Sequence, residues 1–308
     1  MKTPDALSRR SFLALFGAAP LGAALVPFQL TAPSIGEPAS RAPFEAERVG
    51  TALAADKHIP VGLELYSVRD ELKKDLMGAV RGVAKMGYEC VEFYAPYYDW
   101  TLDYAQQVRK ELDALGVRCY STHNDRQSFT PDGITKAIEL NQALGARYIV
   151  MAHPGEVKDV DGWKRVAETL NKANETMKSH GLHAGYHNHD LEWKPVDGRK
   201  PIELLAANTD KSIMLQLDTG PCVELGNDPV AWIEANPGRI RSMHVKEWSR
   251  EKGFRLLFGE GAVPWKKVFA AAETTGGIEY YLIEQEGSDM SEMETVQRCL
   301  AAFRNLHG

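Results

Sequence analysis

From residue 60 onward the chain alternates two kinds of hydrophobic pattern. Short runs rich in β-branched and aromatic residues read as strands: VGLELYSV (61–68), YECVEFYA (88–95), VRCYSTH (117–123), RYIVMAH (147–153), HAGYHNHDLEW (183–193), SIMLQLDTG (212–220), IRSMHVKEW (240–248) and YYLIEQE (280–286). Between them, helices are predicted over Leu72–Met86, Leu102–Leu115, Pro131–Leu144, Gly162–His180, Pro201–Ala207, Pro229–Ala235 and Pro264–Thr274, with a last one over Met290–Leu306. Their apolar positions recur with a period near 3.6, as in VRKELDALG, so each buries one face. Gly87, Gly116, Gly145 and Gly181 follow helical patterns where a left-handed cap is wanted. Asp228-Pro229 and Val263-Pro264 place proline near helix starts, where its missing N–H costs nothing. Strict β/α alternation favours parallel strands with right-handed crossovers, and eight such units close most simply into a single-domain (β/α)8 barrel over residues 58–308. An open dinucleotide-binding sheet would need a Gly-rich turn after the first strand, and SVRDELKK offers none.

The first 57 residues follow another pattern. Ser8-Arg9-Arg10-Ser11-Phe12-Leu13 precedes an apolar, Ala/Gly-rich stretch from Leu13 to Val26, which reads as a twin-arginine (Tat) export signal. The stretch is too short and too interrupted to span a bilayer stably. Residues 27–57, rich in Pro, Ala and Ser, read as a linker. The expected address is therefore the periplasm, with the Tat translocon as a partner during export and no membrane insertion after cleavage. A formal charge of −6 with no basic run makes nucleic acid a poor partner. The four cysteines form no CxxC pair and sit in strand-like runs, which favours buried free thiols.

Candidate chemistry lies where the strands end, because barrel active sites are built at that rim. The last four runs end in His187-Asn188-His189, Asp218, His244 and Glu284. Imidazole and carboxylate donors converging on one rim suit a divalent metal, with His187 or His189, Asp218, His244 and Glu284 as expected ligands. Alternation puts His187 and His189 on one strand face; one is expected on the metal and the other as base or substrate contact. Each residue also has a plainer use: Asp218 can cap the next helix, His244 can bond a backbone carbonyl, and Glu284 can pair with Lys246. Glu64, Tyr66, Glu92, His123 and His153 close the first four runs and are expected to contact substrate. Trp248 is expected to stack on a sugar face, as Trp100 and Trp193 could.

The stretches GLELYSVRD, YECVEFY, STHND, GYHNHDLEW, LQLDTG, MHVKEW and YLIEQE together resemble the sugar phosphate isomerase/epimerase family, the xylose-isomerase-like barrels that include type IV AP endonucleases. The resemblance covers residues of about 60–306. It implies one Mn, Co, Mg or Zn ion held by Glu, Asp, His and Glu from strands five to eight, the last three matching Asp218, His244 and Glu284. At strand five the chain departs: His187 stands where the family often has glutamate, removing one half of a two-carboxylate epimerisation pair. Glu192 is a candidate substitute ligand if its loop folds back.

The implied chemistry is proton abstraction beside a sugar carbonyl, with His187, His189 and Glu284 as candidate catalytic groups and Lys246 as an oxyanion stabiliser. An enediolate reprotonated at the neighbouring carbon gives isomerisation, and on the opposite face epimerisation; expelling a neighbouring group makes a lyase acting on 3-keto-glycosides. No phosphate cradle or Arg cluster follows strands seven and eight, so the expected substrate is an unphosphorylated sugar or keto-sugar. The alternative of another class is a non-catalytic periplasmic sugar-binding barrel.

Overall fold

A computed structural model describes residues 58–308; the export signal and linker expected in residues 1–57 lie outside them. Eight parallel strands close a barrel in sequence order: β1 (Val61–Glu64), β2 (Cys90–Phe93), β3 (Arg118–Asp125), β4 (Tyr148–His153), β5 (His183–His187), β6 (Met214–Asp218), β7 (Ser242–Val245) and β8 (Tyr280–Ile283), with β8 paired back onto β1. Ten helices surround it: α1 (Arg69–Lys74), α2 (Leu76–Met86), α3 (Leu102–Leu115), α4 (Ile134–Leu144), α5 (Val160–Lys178), α6 (Pro201–Asn208), α7 (Thr219–Glu224), α8 (Pro229–Ala235), α9 (Trp265–Ala271) and α10 (Glu292–His307). Among the described residues no helix is long and apolar enough to cross a membrane.

The expected elements are present, and their boundaries shift for local reasons. The first run stops as a strand at Glu64, whose carboxylate accepts the Tyr66 N–H at 2.8 Å and tightens Leu65–Val68 into a 3-10 turn. The helix expected from Leu72 is broken at Asp75, which is extended (φ −156°) and caps α2 by accepting from Gly78 N. The fifth run leaves the barrel after His187. There the Asn188 side chain takes the place of a strand neighbour, accepting from Asp218 N at 3.0 Å and donating to Asp218 O at 3.2 Å. Gly87, Gly116 and Gly145 cap their helices with positive φ as expected.

The main apolar layer lies between barrel and helices. On α5, Trp163, Val166, Leu170 and Met177 recur on one face and are fully or almost fully buried against β4 and β5 neighbours such as Ile149 and Ala184. Each such side chain contributes roughly 1.5–3 kcal/mol of transfer free energy. Inside the barrel, Cys90, Tyr148, Val150, Met214, Tyr280 and Leu282 form an apolar plug toward the N-terminal end. Gly62 is required there: a Cβ would stand 2.4 Å from Cys90 Sγ and 2.5 Å from Cys90 O. All four cysteines are buried free thiols.

Candidate active site at the C-terminal rim

Above the plug the barrel interior turns polar. Glu64, Glu92, His123, His187, Gln216, Asp218 and His244 are all buried within it. Buried carboxylates are costly unless paired, hydrogen-bonded or metal-bound. The residues divide into a lower layer, an upper layer and a cavity.

In the lower layer, Glu92 Oε1 accepts from Gln216 Nε2 at 3.0 Å and from the Ser121 hydroxyl. Its Oε2 meets His244 Nε2 at 2.7 Å and His123 Nε2 at 3.0 Å. Gln216 Oε1 in turn faces His123 Nε2 at 2.8 Å and His187 Nδ1 at 3.0 Å. Burial opposes ionisation of Glu92, but the two histidines outweigh it and hold its carboxyl well below the usual range.

In the upper layer, His187, Asp218, His244 and Glu284 each present a ligand atom, all within 4.8 Å of one another. His244 Nδ1 lies 2.6 Å from Glu284 Oε2, and His187 Nε2 lies 3.9 Å from Asp218 Oδ2. Lys246 Nζ donates to Glu284 Oε1 at 3.0 Å, to Asp218 Oδ2 at 3.4 Å and to Glu286. Burial disfavours the ammonium, but Asp218, Glu284 and Glu286 together raise its pKa well above the ordinary value. Burial pushes the Asp218 carboxyl up to about 7, with Lys246 working against the shift. Among the described residues, Lys246 is the one lysine or arginine paired with these carboxylates. Burial lowers the His244 pKa, but Glu92 and Glu284 outweigh it and raise it to about 10, so His244 also carries positive charge beside these carboxylates. Two imidazoles and two carboxylates at this spacing fit one divalent cation.

The cavity, about 250 Å³, is lined by Glu64, Tyr66, Tyr94, His123, His153, His187, His189, Glu284 and Glu286 with Ala95. His189 stacks on His153, with centroids 5.2 Å apart and planes at 13°. Burial is the main cause that lowers the His189 pKa to about 3, so its imidazole is neutral. Glu64 Oε2 is engaged by Tyr66 N, while Oε1 is buried without a partner. Burial first, then the Glu284 charge, raises the Glu64 pKa well above the carboxylate range. Tyr66 and Tyr94 meet edge to face at 5.5 Å. Arg69 covers the Tyr66 ring.

Most expected residues meet at this rim, and several do so in other roles. Glu92, expected to contact substrate, is fully buried beneath the cavity and does not line it. Glu192 is not among the clustered ligand atoms: its carboxylate accepts from Tyr186 OH at 2.6 Å and from His189 N at 2.8 Å. Trp248 does not line the cavity. Trp193 is buried against Trp232, and Trp100 packs on Phe93 and Tyr104. Lys246 is paired with carboxylates and does not face the cavity. Both plainer uses of Asp218 and Glu284 hold at once: Asp218 caps α7 by accepting from Gly220 N at 3.0 Å, and Glu284 pairs with Lys246. His244 bonds carboxylates and no backbone carbonyl. Gln216 was not expected at the site. Two-residue alternation from Asp218 and Glu284 points to Gln216 and Glu286.

Comparison with known proteins agrees with this architecture. A sugar phosphate isomerase/epimerase from Parabacteroides distasonis superposes with a TM-score of 0.69 at 26% identity, covering 82% of this chain and 96% of its own. The zinc-bound IOLI protein superposes with a TM-score of 0.63 at 14% identity, over 80% and 98%, a likeness of fold. An inosose dehydratase from Clostridium perfringens is 25% identical over 177 residues, 47% of this chain and 59% of the relative. One from Clostridium beijerinckii is 33% identical over 142 residues, 40% and 47% respectively. The chain thus spans about half to three-fifths of the length of these curated relatives. Residues 80–306 match the family model of the xylose isomerase-like TIM barrel, and the chain belongs to that family.

Proposed function

We propose that the protein is a divalent-metal-dependent enzyme that removes a proton beside the carbonyl of an unphosphorylated keto-sugar or keto-polyol. Of the possible outcomes, we favour elimination of a neighbouring hydroxyl. The carrying observation is the pairing of one unbonded imidazole with one orphaned carboxyl oxygen on a single cavity. Within the described residues His189 makes no ring hydrogen bond, and Glu64 Oε1 has no partner.

His187, Asp218, His244 and Glu284 would hold the cation. A divalent cation there would supply Lewis acidity to a carbonyl oxygen, which acidifies the adjacent C–H. His189, neutral and facing the cavity, takes the proton. Glu64, whose pKa burial and then the Glu284 charge raise well above the ordinary value, delivers a proton to the departing hydroxyl, so a ketone with a β-hydroxyl becomes an α,β-unsaturated ketone plus water. Tyr66 and Tyr94 offer aromatic surface to the apolar face of a sugar ring.

Two observations favour elimination over two-base epimerisation. His187 stands at strand five where the family resemblance implies a glutamate, and its ring is tied to Gln216. The curated relatives described above are inosose dehydratases. Isomerisation or epimerisation of the same enolate is the second reading, supported by likeness to sugar isomerase/epimerase structures.

The test is incubation with an inosose and with 3-keto-glycosides in heavy water, in the presence of Mn, Co or Zn, followed by proton NMR. Deuterium at the carbon beside the carbonyl, with growth of a vinylic proton, supports elimination. Exchange with a new sugar epimer and no alkene supports the second reading. Binding without exchange, unaffected by chelator, would leave a sugar-binding barrel. We further propose export through the twin-arginine route, on the strength of Arg9-Arg10 and the apolar stretch behind them. Replacing both arginines with lysine should retain the protein in the cytoplasm; unchanged export would refute the route.

A further inference from the structure

The lower polar layer sits where barrels ordinarily place branched apolar side chains. Glu92 and Gln216 lie at its centre, on β2 and β6, fully or almost fully buried and out of contact with the cavity. Their hydrogen bonds have a defined direction. Gln216 Nε2 donates to Glu92 Oε1 at 3.0 Å and to Ser242 Oγ at 3.1 Å, which fixes the amide and makes Oε1 an acceptor. That oxygen lies 3.0 Å from His187 Nδ1, so His187 must carry its proton on Nδ1 to satisfy it. Glu92 Oε2 lies 2.7 Å from His244 Nε2, so that nitrogen is the donor of His244. The opposite ring nitrogens are then the ones whose lone pairs a cation would take, His187 Nε2 at 3.9 Å from Asp218 and His244 Nδ1 at 2.6 Å from Glu284. In this structure His244 Nδ1 bonds Glu284 instead.

We propose that Glu92 and Gln216 are positioning residues that fix the tautomers and ring orientations of His187 and His244, so that both lone pairs point at the cation site. This rests on the reading of His187, Asp218, His244 and Glu284 as the ligands. The hydrogen-bonded pair serves these two histidines through opposite nitrogens, Nδ1 of one and Nε2 of the other, and also meets His123 Nε2 from both side chains. Partners of this kind typically change metal affinity 10–100-fold. The coupling is mutual: Glu92→Gln sets two amide groups against each other. If the new amide keeps its oxygen toward His244, its NH2 faces the NH2 of Gln216, which must then turn over. A turned Gln216 presents NH2 to His187 Nδ1, moves the proton to Nε2 and blocks the lone pair that faces the site.

The test uses Co2+ and Zn2+ alone, with no sugar. Wild-type protein, Glu92→Gln and Gln216→Met are titrated with Co2+, reading both affinity and the visible absorption of the bound ion. The expected result is about 10–100-fold weaker binding for each variant with an altered spectrum, while thermal melts in chelator show a folded protein. Separately, long-range proton–nitrogen correlation spectra of Zn2+-loaded wild type should show His187 protonated on Nδ1 and His244 on Nε2. Opposite tautomers would overturn the proposal, and so would Co2+ affinity and spectra unchanged in both variants. Should a variant fail to fold, the wild-type tautomers still decide. Wild-type protein that takes up no cation would instead refute the ligand assignment in the proposed function.

Discussion

Replacing Lys246 with methionine removes one charge while keeping most of the stem that packs over Gly220. The ammonium is bonded to Asp218 and Glu284, whose side chains are 0% and 10% exposed, and to Glu286, whose side chain is 43% exposed. Solvent screens the Glu286 bond, which therefore adds little. The two buried bonds dominate, and breaking a buried pair by removing one partner costs about 3–5 kcal/mol. For a domain of this size, about 2–4 °C per kcal/mol converts that to a melting point roughly 6–20 °C lower in chelator. A divalent cation would meet the same carboxylates, so it should recover much of the loss. At a hundredfold excess over Kd it stabilises by about 2.7 kcal/mol. The variant should also bind the cation more tightly than wild type, because a competing positive charge has gone. The assay is thermal melting with chelator and then with Mn or Zn. A variant that melts like wild type in chelator would refute the claim that Lys246 neutralises these carboxylates. Weaker cation binding by the variant would show that Lys246 supports the cation rather than competing with it.

Glu192 carries a pH prediction. Burial raises its pKa, with the Tyr186 and His189 N hydrogen bonds working the other way, so the folded state holds this proton more tightly than the unfolded one. Stability from this group is therefore complete below about pH 4.5 and declines as pH rises through the raised folded value, by at most about 1.4 kcal/mol per pH unit. Glu192→Gln mimics the protonated form, and urea melts should show its cost shrinking between pH 4.5 and 7; a cost that grows would contradict the sign. Gly62→Ala forces a methyl against Cys90 and should cost about 1–3 kcal/mol by denaturant unfolding, with a neutral result refuting the close approach. Trp163→Ala opens a void under α5 and should cost about 3–5 kcal/mol in the same assay; a loss below about 1 kcal/mol would mean the site collapses freely.

The barrel was readable in the sequence because alternating strand and helix periods leave few topologies open, and helix-capping glycines marked the boundaries. The clustering of Asp218, His244 and Glu284 was readable because each interrupts an apolar run at its end, where a solitary charge needs a reason. The boundaries that shifted depend on side chains satisfying backbone groups nearby, as Glu64 does for Tyr66 and Asp75 for Gly78. Glu92 and Glu192 were misplaced for a related cause. Both lie near strand ends, but whether such a carboxylate faces cavity, neighbour or backbone depends on partners remote in sequence, such as Gln216 for Glu92. Trp248 shows the same limit: a position after a strand does not fix where a loop side chain turns.

The central claim is a single cation site formed by His187, Asp218, His244 and Glu284. Elemental analysis of protein purified without chelator, alongside Asp218→Ala and Glu284→Ala, tests it most directly. Wild type should hold about one equivalent of a divalent metal per chain, and both variants should lose it. No uptake by wild type after metal is offered, or undiminished metal in both variants, would contradict it.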